Sequence, residues 1–280
     1  MKYKAIPEGT EPDSNGVRSV NRASRILALL SRDHMMLGVN ETSILTGLPK
    51  TTVLRLLQTL EHSRVLWGHG NGRYTPGPML LQWARTANDA WLFPPEFQGI
   101  LVDLAQRGNE TANVYIRNGL HRVCIAQAPG PQNLRHVVMV GDELPLWAGA
   151  ASKILLVDAP EELVEEILQL SPNDPRSQNE FRLSMMQAAQ DGYAVSHAER
   201  DTGVSAVSIP ISGDDGACIA ALSLSGPTSR FSEDRLPGLI LELQRAAEML
   251  SRAVIPELRN NHVILSRLRN NHKEGNSTPA

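Results

Sequence analysis

Cysteine and aromatic residues are scarce in this 280-residue chain, and no long apolar run interrupts it. The two cysteines, Cys124 and Cys218, each sit inside an apolar strand-like run. That placement favours burial of a small hydrophobe over a disulfide framework. No apolar stretch approaches the roughly 20 residues of a membrane span. The opening MKYKAIPEGTEPDSNG also lacks the apolar core of a signal peptide. These absences predict a cytoplasmic chain with no membrane partner. The eight histidines are scattered, with no pair at helical metal-ligand spacing, so no metal site is expected. There is no G-x-S-x-G elbow, no phosphate loop ending in Lys-Ser/Thr and no H-E-x-x-H. No catalytic residue is assigned and no cofactor is expected.

Charge, ordinary in amount, is unevenly distributed. Between Val17 and Leu80 the chain carries eight cations against three anions, a net of +5, whereas the whole protein carries −3. A basic module attached to an acidic body implies a polyanionic partner for the module. Within that module, NETSILTGLPKTTVLRLLQTLEHSRVL reads as a helix-turn-helix. A first helix precedes it over Asn21 to Ser31. Asn40 is the expected N-cap of a short helix ending at Thr46, Gly47 supplies the turn, and Pro49 suits the entry to the next helix.

That next helix, Thr51 to His62, divides sharply at about 100° per residue. Thr51, Thr52, Arg55, Gln58, Thr59 and His62 share an arc of roughly 120°. Val53, Leu54, Leu56, Leu57 and Leu60 take the other side. A merely solvated face is usually dense in Lys and Glu. Hydroxyls, an amide and an arginine are what a helix needs to read base edges in a major groove. Trp67 is followed by GHGNG and Arg73-Tyr74-Thr75, the pattern of a two-stranded wing whose arginine can meet phosphate. Expected DNA-binding residues are Lys50, Thr51, Thr52, Arg55, Gln58 and Arg73.

Beyond the wing, Leu80, Ala84, Ala87 and Trp91 form one stripe of a helix over Met79 to Trp91, either a dimer contact or packing on the body. A helix over Glu96 to Arg107 opens a second domain of alternating strands and helices. Strands are expected at Ala112 to Arg117 and Arg122 to Gln127 around an Asn118-Gly119 turn, and at Val137 to Val140, Ala194 to His197, Val204 to Pro210 and Ala217 to Leu224. The last two flank a Gly213–Gly216 turn. Helices are expected at Ala150 to Leu156, Glu161 to Leu170, Phe181 to Gln190 and Asp234 to Ser251. The mixture is an α+β sheet domain with helices packed on it. LRNNH occurs twice near the end, too few copies for a repeat architecture.

From about Val17 to about Ala253 the sequence resembles the IclR family of bacterial transcription regulators. SVNRASRILALL is similar to the family's first helix, and GRYTPGPMLL to its wing and exit strand. GDELPLWAGAASKILL, DGYAVSHAERDTGVSAVSIPI and AALSLSGPTSRFSED match three blocks of its second domain. The resemblance implies an α/β multidomain protein: a winged helix-turn-helix at 17–78, a linker helix at 79–93 and a GAF/PAS-like α+β effector-binding domain at 94–255. A disordered tail at 1–16 and a partly disordered C-terminal extension at 256–280 complete the expectation. Its implied partners are double-stranded operator DNA and a small-molecule effector, with the protein a homodimer or homotetramer. Effector-binding positions carried over are Ala150, Ala151, Ser196, Ala206, Ser223 and Ser225. Trp147 stands where the family usually has histidine, and Ser152 where glycine is common.

Glu199 and Asp201 beside His197 read as a hydrogen-bonded turn or pocket rim. His136 reads as a pocket residue or a half-buried histidine. The Ala148–Ala151 turn opens a helix with uncovered N–H groups, which favours an anion. A small carboxylic acid in an otherwise apolar pocket is therefore the expected effector, with Arg135 as a second anion partner or a surface arginine. Two other readings stay open: an architectural DNA-binding protein whose second domain only assembles, and an enzyme carrying a DNA module. Ligand-dependent operator affinity separates the first of these, and turnover the second.

Overall fold

The computed structural model describes residues 17–31, 34–90, 95–172, 174–213 and 216–260, without the side chains of 88–90 and 253–260. The expected tail at 1–16, Trp91, the middle of the Gly213–Gly216 turn and the extension beyond 260 lie outside the described residues. The chain divides into two compact units, Met1–Leu92 and Phe93–Ala280.

The first unit contains α1 (Arg18–Leu27), β1 (Leu37–Gly38), α2 (Val39–Thr46), α3 (Lys50–His62), β2 (Leu66–Gly68), β3 (Arg73–Pro76) and α4 (Pro78–Ala90). Ile26, Leu37, Val53, Leu57, Leu66 and Tyr74 close one small core. Val53 and Leu57 bury the inner face of α3, while Leu54, assigned to that face by the wheel, is 38% exposed. Gly47 ends α2 at φ +69°, a left-handed conformation that glycine adopts without steric cost. Arg25 donates to the Thr46 carbonyl at 2.9 Å, placing a cation at the same helix end. Asn40 does not cap α2. The helix starts at Val39, two residues before the expected Glu41, behind Gly38, and Asn40 lies inside it. The wing is broader than a hairpin, because β1 pairs with β3 on the side away from β2.

The second unit is built on an antiparallel six-stranded sheet in the order β6-β5-β4-β9-β8-β7. In chain order it runs α5 (Pro95–Gly108), β4 (Thr111–Asn118), β5 (His121–Ala128), β6 (Glu143–Pro145), α6 (Ala150–Leu155), α7 (Glu161–Gln169), α8 (Pro175–Asp191), β7 (Ala194–His197), β8 (Val204–Ser212), β9 (Cys218–Pro227) and α9 (Leu236–Asn260). Strand side chains alternate between faces. Val114, Val207, Ile209, Leu222 and Leu224 pack with Phe97, Leu101, Leu243 and Leu250 of α5 and α9. Tyr115, Cys124 and Ala221 pack with Ala150, Ile154, Ile167 and Phe181 of α6, α7 and α8. Both thiols are unpaired, and burial pushes each up to about 12.

The closing helix runs on to Asn260, past its expected end at Ser251, and two other expected elements differ. Val137–Val140 is a loop rather than a strand. Only Val138 is buried, and the Asp142 carboxylate accepts from the Met139 N–H at 2.8 Å, which curls the backbone away from a ladder. Helix α8 begins six residues early, because the Asp174 carboxylate caps the N–H groups of Arg176 and Ser177.

A buried ion cluster joins the ends of this unit. Glu110, fully buried, accepts from Arg230 at 2.6 and 2.7 Å and from Arg235 at 3.0 Å. Gly226 lets the cluster close, since a Cβ there would lie 2.0 Å from a Glu110 carboxylate oxygen. Replacing Glu110 by Gln leaves two half-buried guanidinium groups without their anion. The expected cost is about 3 kcal/mol, read as a lower urea midpoint for the second unit. An unchanged midpoint would show that the cluster adds nothing to stability.

Candidate functional site

Helix α3 presents Lys50, Thr51, Arg55 and Gln58 to solvent, with Thr52 half-buried beside them. The Thr59 hydroxyl is turned back to donate to the Arg55 carbonyl at 2.8 Å and is not an outward donor. Arg73 projects from the exposed start of β3, its Nη1 3.4 Å from the Met36 sulfur. Along α4, Leu80 is half-buried, while Ala84 and Ala87 are exposed together with Leu81 and Trp83.

In the second unit, Ala150, Ala151, Ser196, Ala206, Ser223 and Ser225 all line one cleft of about 440 Å³, its mouth included. Strand alternation explains the convergence. Ser223 and Ser225 leave β9 on the α6 side, opposite Leu222 and Leu224, and Ser225 pairs in register with Ala206. Tyr115, Arg122, His136, Glu199, Arg200, Asp201 and Ser205 complete the wall. His197 does not line it and instead bonds Ser205 through Nδ1 at 3.0 Å.

The polar groups are arranged in pairs. Lys153, 3% exposed, donates to Glu199 at 2.5 Å and to the Val195 carbonyl at 2.9 Å. The other Glu199 oxygen accepts from the Gly149 N–H at 2.9 Å. Arg200 pairs with Asp201. Arg122 is different. Its Nη1 donates to the carbonyls of Pro145 and Ala148 and to the Ser152 hydroxyl, and its charge lies 5.4 Å from the Tyr115 ring centre. No carboxylate lies within ion-pair distance of it among the described residues. Burial lowers it to about 10, so it stays charged at neutral pH. Gly149 makes room for it: at φ +97° a Cβ would stand 3.1 Å from Nη2.

These pairings revise two expectations and decide a third between its alternatives. The start of α6 is open only in part, because Glu199 already occupies the Gly149 N–H. The cleft is polar around most of its wall rather than at one end. Arg135 is exposed and donates to Gln132, away from the cleft. Trp147 packs beside the second core and not in the cleft, and Ser152 holds Arg122 in place. Tyr115, Arg122 and Arg200 were absent from the sequence-based site. In a strand an arginine at 122 reads as an exposed rung, and only its two-residue spacing from buried Cys124 marks it as inward.

His136 reaches the cleft from the 131–141 loop, its Nδ1 2.9 Å from the Ser225 hydroxyl. Burial, followed by the nearby Arg200, pushes it down to about 4 from 6.5. A depressed histidine binds its proton less readily when folded, so its contribution is intact above pH 6.5 and is lost as pH falls toward 4. The second unit should lose stability over that window, and His136→Asn should lose less. Parallel unfolding curves for the two proteins from pH 7 to pH 4 would show instead that the histidine is not kept neutral.

Comparison with known proteins agrees with this architecture. Residues 19–66 match the IclR helix-turn-helix domain and residues 95–252 the C-terminal domain of bacterial IclR transcriptional regulators. The chain is 32% identical over 250 residues to the transcriptional repressor AllR of Escherichia coli, covering 84% of this chain and 90% of that one. It is 27% identical to KipR of Bacillus subtilis over 78% and 90%. A crystal structure of an IclR-family regulator from Rhodococcus sp. is 39% identical, covers 87% of this chain and 97% of its own, and superposes with a TM-score of 0.56. An IclR homologue from Microbacterium hydrocarbonoxydans, complexed with 4-hydroxybenzoate, shares the fold at 19% identity and a TM-score of 0.66, over 84% and 98%. With both domains matched and the relatives named as regulators, this DNA-binding chain belongs to the IclR family of bacterial transcriptional regulators.

Proposed function

We propose that the protein binds operator DNA through α3 and the wing, and that a small carboxylic acid in the cleft adjusts that binding. One observation carries the choice of ligand. The cleft's two carboxylates are each matched by a cation, Glu199 by Lys153 and Asp201 by Arg200, and the buried charge of Arg122 is left over. A buried charge without a counter-ion is costly, and a carboxylate supplies one. The 4-hydroxybenzoate complex of the Microbacterium homologue is an instance of a carboxylate on this fold. The relatives' names as regulators and the full internal pairing of the two acids support a binding site rather than a catalytic one. Ala150, Ala151, Ser196, Ala206, Ser223 and Ser225 form its wall. The effector acts only through unequal affinity for the DNA-competent and incompetent states.

In this reading Arg55, with Thr51, Thr52 and Gln58, contacts base edges, while Lys50 and Arg73 contact phosphate. The α4 stripe of Leu80, Ala84 and Ala87 joins two protomers and so sets half-site spacing. Arg55→Ala should cost about 1–3 kcal/mol and relax preference at one position per half-site. Arg73→Ala should weaken all sequences alike and lower the salt slope by about one unit. Operator binding by Arg55→Ala as tight and selective as wild type would remove α3 from the reading surface.

For the effector, a carboxylate at about 100 times its dissociation constant should add roughly 2.7 kcal/mol to stability. Its amide should add little. Ser223→Ala with Ser225→Ala should abolish the ligand response and leave operator binding by the free protein near wild type. Stabilisation by neutral or cationic compounds alone would refute the carboxylate assignment.

A further inference from the structure

The wing sets a thioether against its arginine. Leu37 and Tyr74 face each other across β1 and β3 and are both buried, so their neighbours Met36 and Arg73 turn to the outer face of the sheet. Directly across from Arg73 stands Gly38, which has no side chain to fill the space. The guanidinium therefore reaches diagonally to Met36 and rests Nη1 against its sulfur at 3.4 Å. No carboxylate lies within ion-pair distance of Arg73 among the described residues. A thioether is a weak, uncharged acceptor, so this contact holds the arginine loosely and yields to a phosphate.

The sulfur is also open to reagents. Met36 is 38% exposed on this outer face. Met35, Met186 and Met249 are more exposed, but no guanidinium donates to their sulfurs among the described residues. With hydrogen peroxide, the sulfur lone pair attacks one oxygen, and the S–O bond forms as the O–O bond breaks. The departing hydroxide takes the proton of the transferred oxygen and leaves as water. Sulfur gives up two electrons and the peroxide gains them. The product is a polar sulfoxide, which methionine sulfoxide reductases return to the thioether. Its oxygen is a strong acceptor within reach of the same guanidinium. Whatever strengthens that contact in the free protein is subtracted from the gain of moving Arg73 onto DNA.

We propose that Met36 is a reversible oxidation site through which a peroxide lowers affinity for DNA, by turning a weak acceptor for Arg73 into a strong one. This rests on the reading above that Arg73 contacts phosphate, and it adds an input to DNA binding that does not pass through the cleft.

A phosphate contact carries no sequence information, so a duplex of mixed sequence serves as the probe. The full-length protein is treated with hydrogen peroxide, the gain of one oxygen at Met36 is located by peptide mass mapping, and binding is titrated before and after. The oxidised protein should bind about threefold to tenfold more weakly, and the reductases should restore it. Met36→Leu should bind like the untreated wild type and keep that affinity after peroxide. Met36→Gln, whose amide oxygen stands in for the sulfoxide, should bind weakly without peroxide. Arg73→Ala, weakened from the start, should lose nothing further on oxidation. An equal loss in Met36→Leu, or a further loss in Arg73→Ala, overturns the proposal. Undiminished binding with Met36 oxidised overturns it as well, and leaves the phosphate reading standing where Arg73→Ala binds weakly. Arg73→Ala binding as tightly as wild type overturns both.

Discussion

A sheet covered by helices on both faces has no open surface for its polar side chains, and the second domain depends on how that constraint is met. The central strands bury a row on each face. On the α5 and α9 side that row is mostly aliphatic and needs only to pack. On the α6 side Asn113, Arg122, Ser196, Ser208, Ser223 and Ser225 are all buried, so each must find a partner or face a cavity. Many do find one: Asn113 with Ser225, Ser208 with Ser223, and Arg122 with Ser152. The cleft is the place where the partners run out. In the proposed reading, ligand binding follows from an incomplete set of hydrogen bonds on one face of the sheet, with an apolar core behind it.

Much of this was legible in the sequence. The helix-turn-helix declared itself through the divided surface of α3, because helical period and donor chemistry coincide there. The two-residue spacing of Ser223 and Ser225 put both on one strand face, and the family blocks around Ala150 and Ala206 brought in the facing wall. What could not be read was pairing between distant segments. Glu199 and Gly149 are 50 residues apart, and their contact takes one of the N–H groups that the local sequence left open. The polarity of the cleft was missed for the same reason. Arg122 and Arg200 belong to strand and loop positions that ordinarily point to water, and only the sheet's curl and the α6 turn enclose them.

Local errors had local causes. Asn40 is a good capping residue, but the β1–β3 ladder fixes the backbone at Gly38 and starts α2 before it. The apolar run at Val137–Val140 has strand composition, yet Asp142 and the hydrogen bonds between Cys124 and the Gly141–Asp142 turn bend it into a loop. That loop follows His136, which lines the cleft although the expected strand beside it does not.

The central pair of the sheet has a consequence in time. β4 lies against β9, whose residues follow it by more than a hundred positions, and Glu110 meets Arg230 and Arg235 at separations of 120 and 125. On a ribosome β4 can pair with β5 early, but its other edge has no partner until β9 has emerged. The winged helix, whose contacts are all local, can be finished long before. The chain therefore acquires its DNA-reading surface first and its capacity to be regulated last. Premature termination before α9 would release a reader of DNA with no sensor attached.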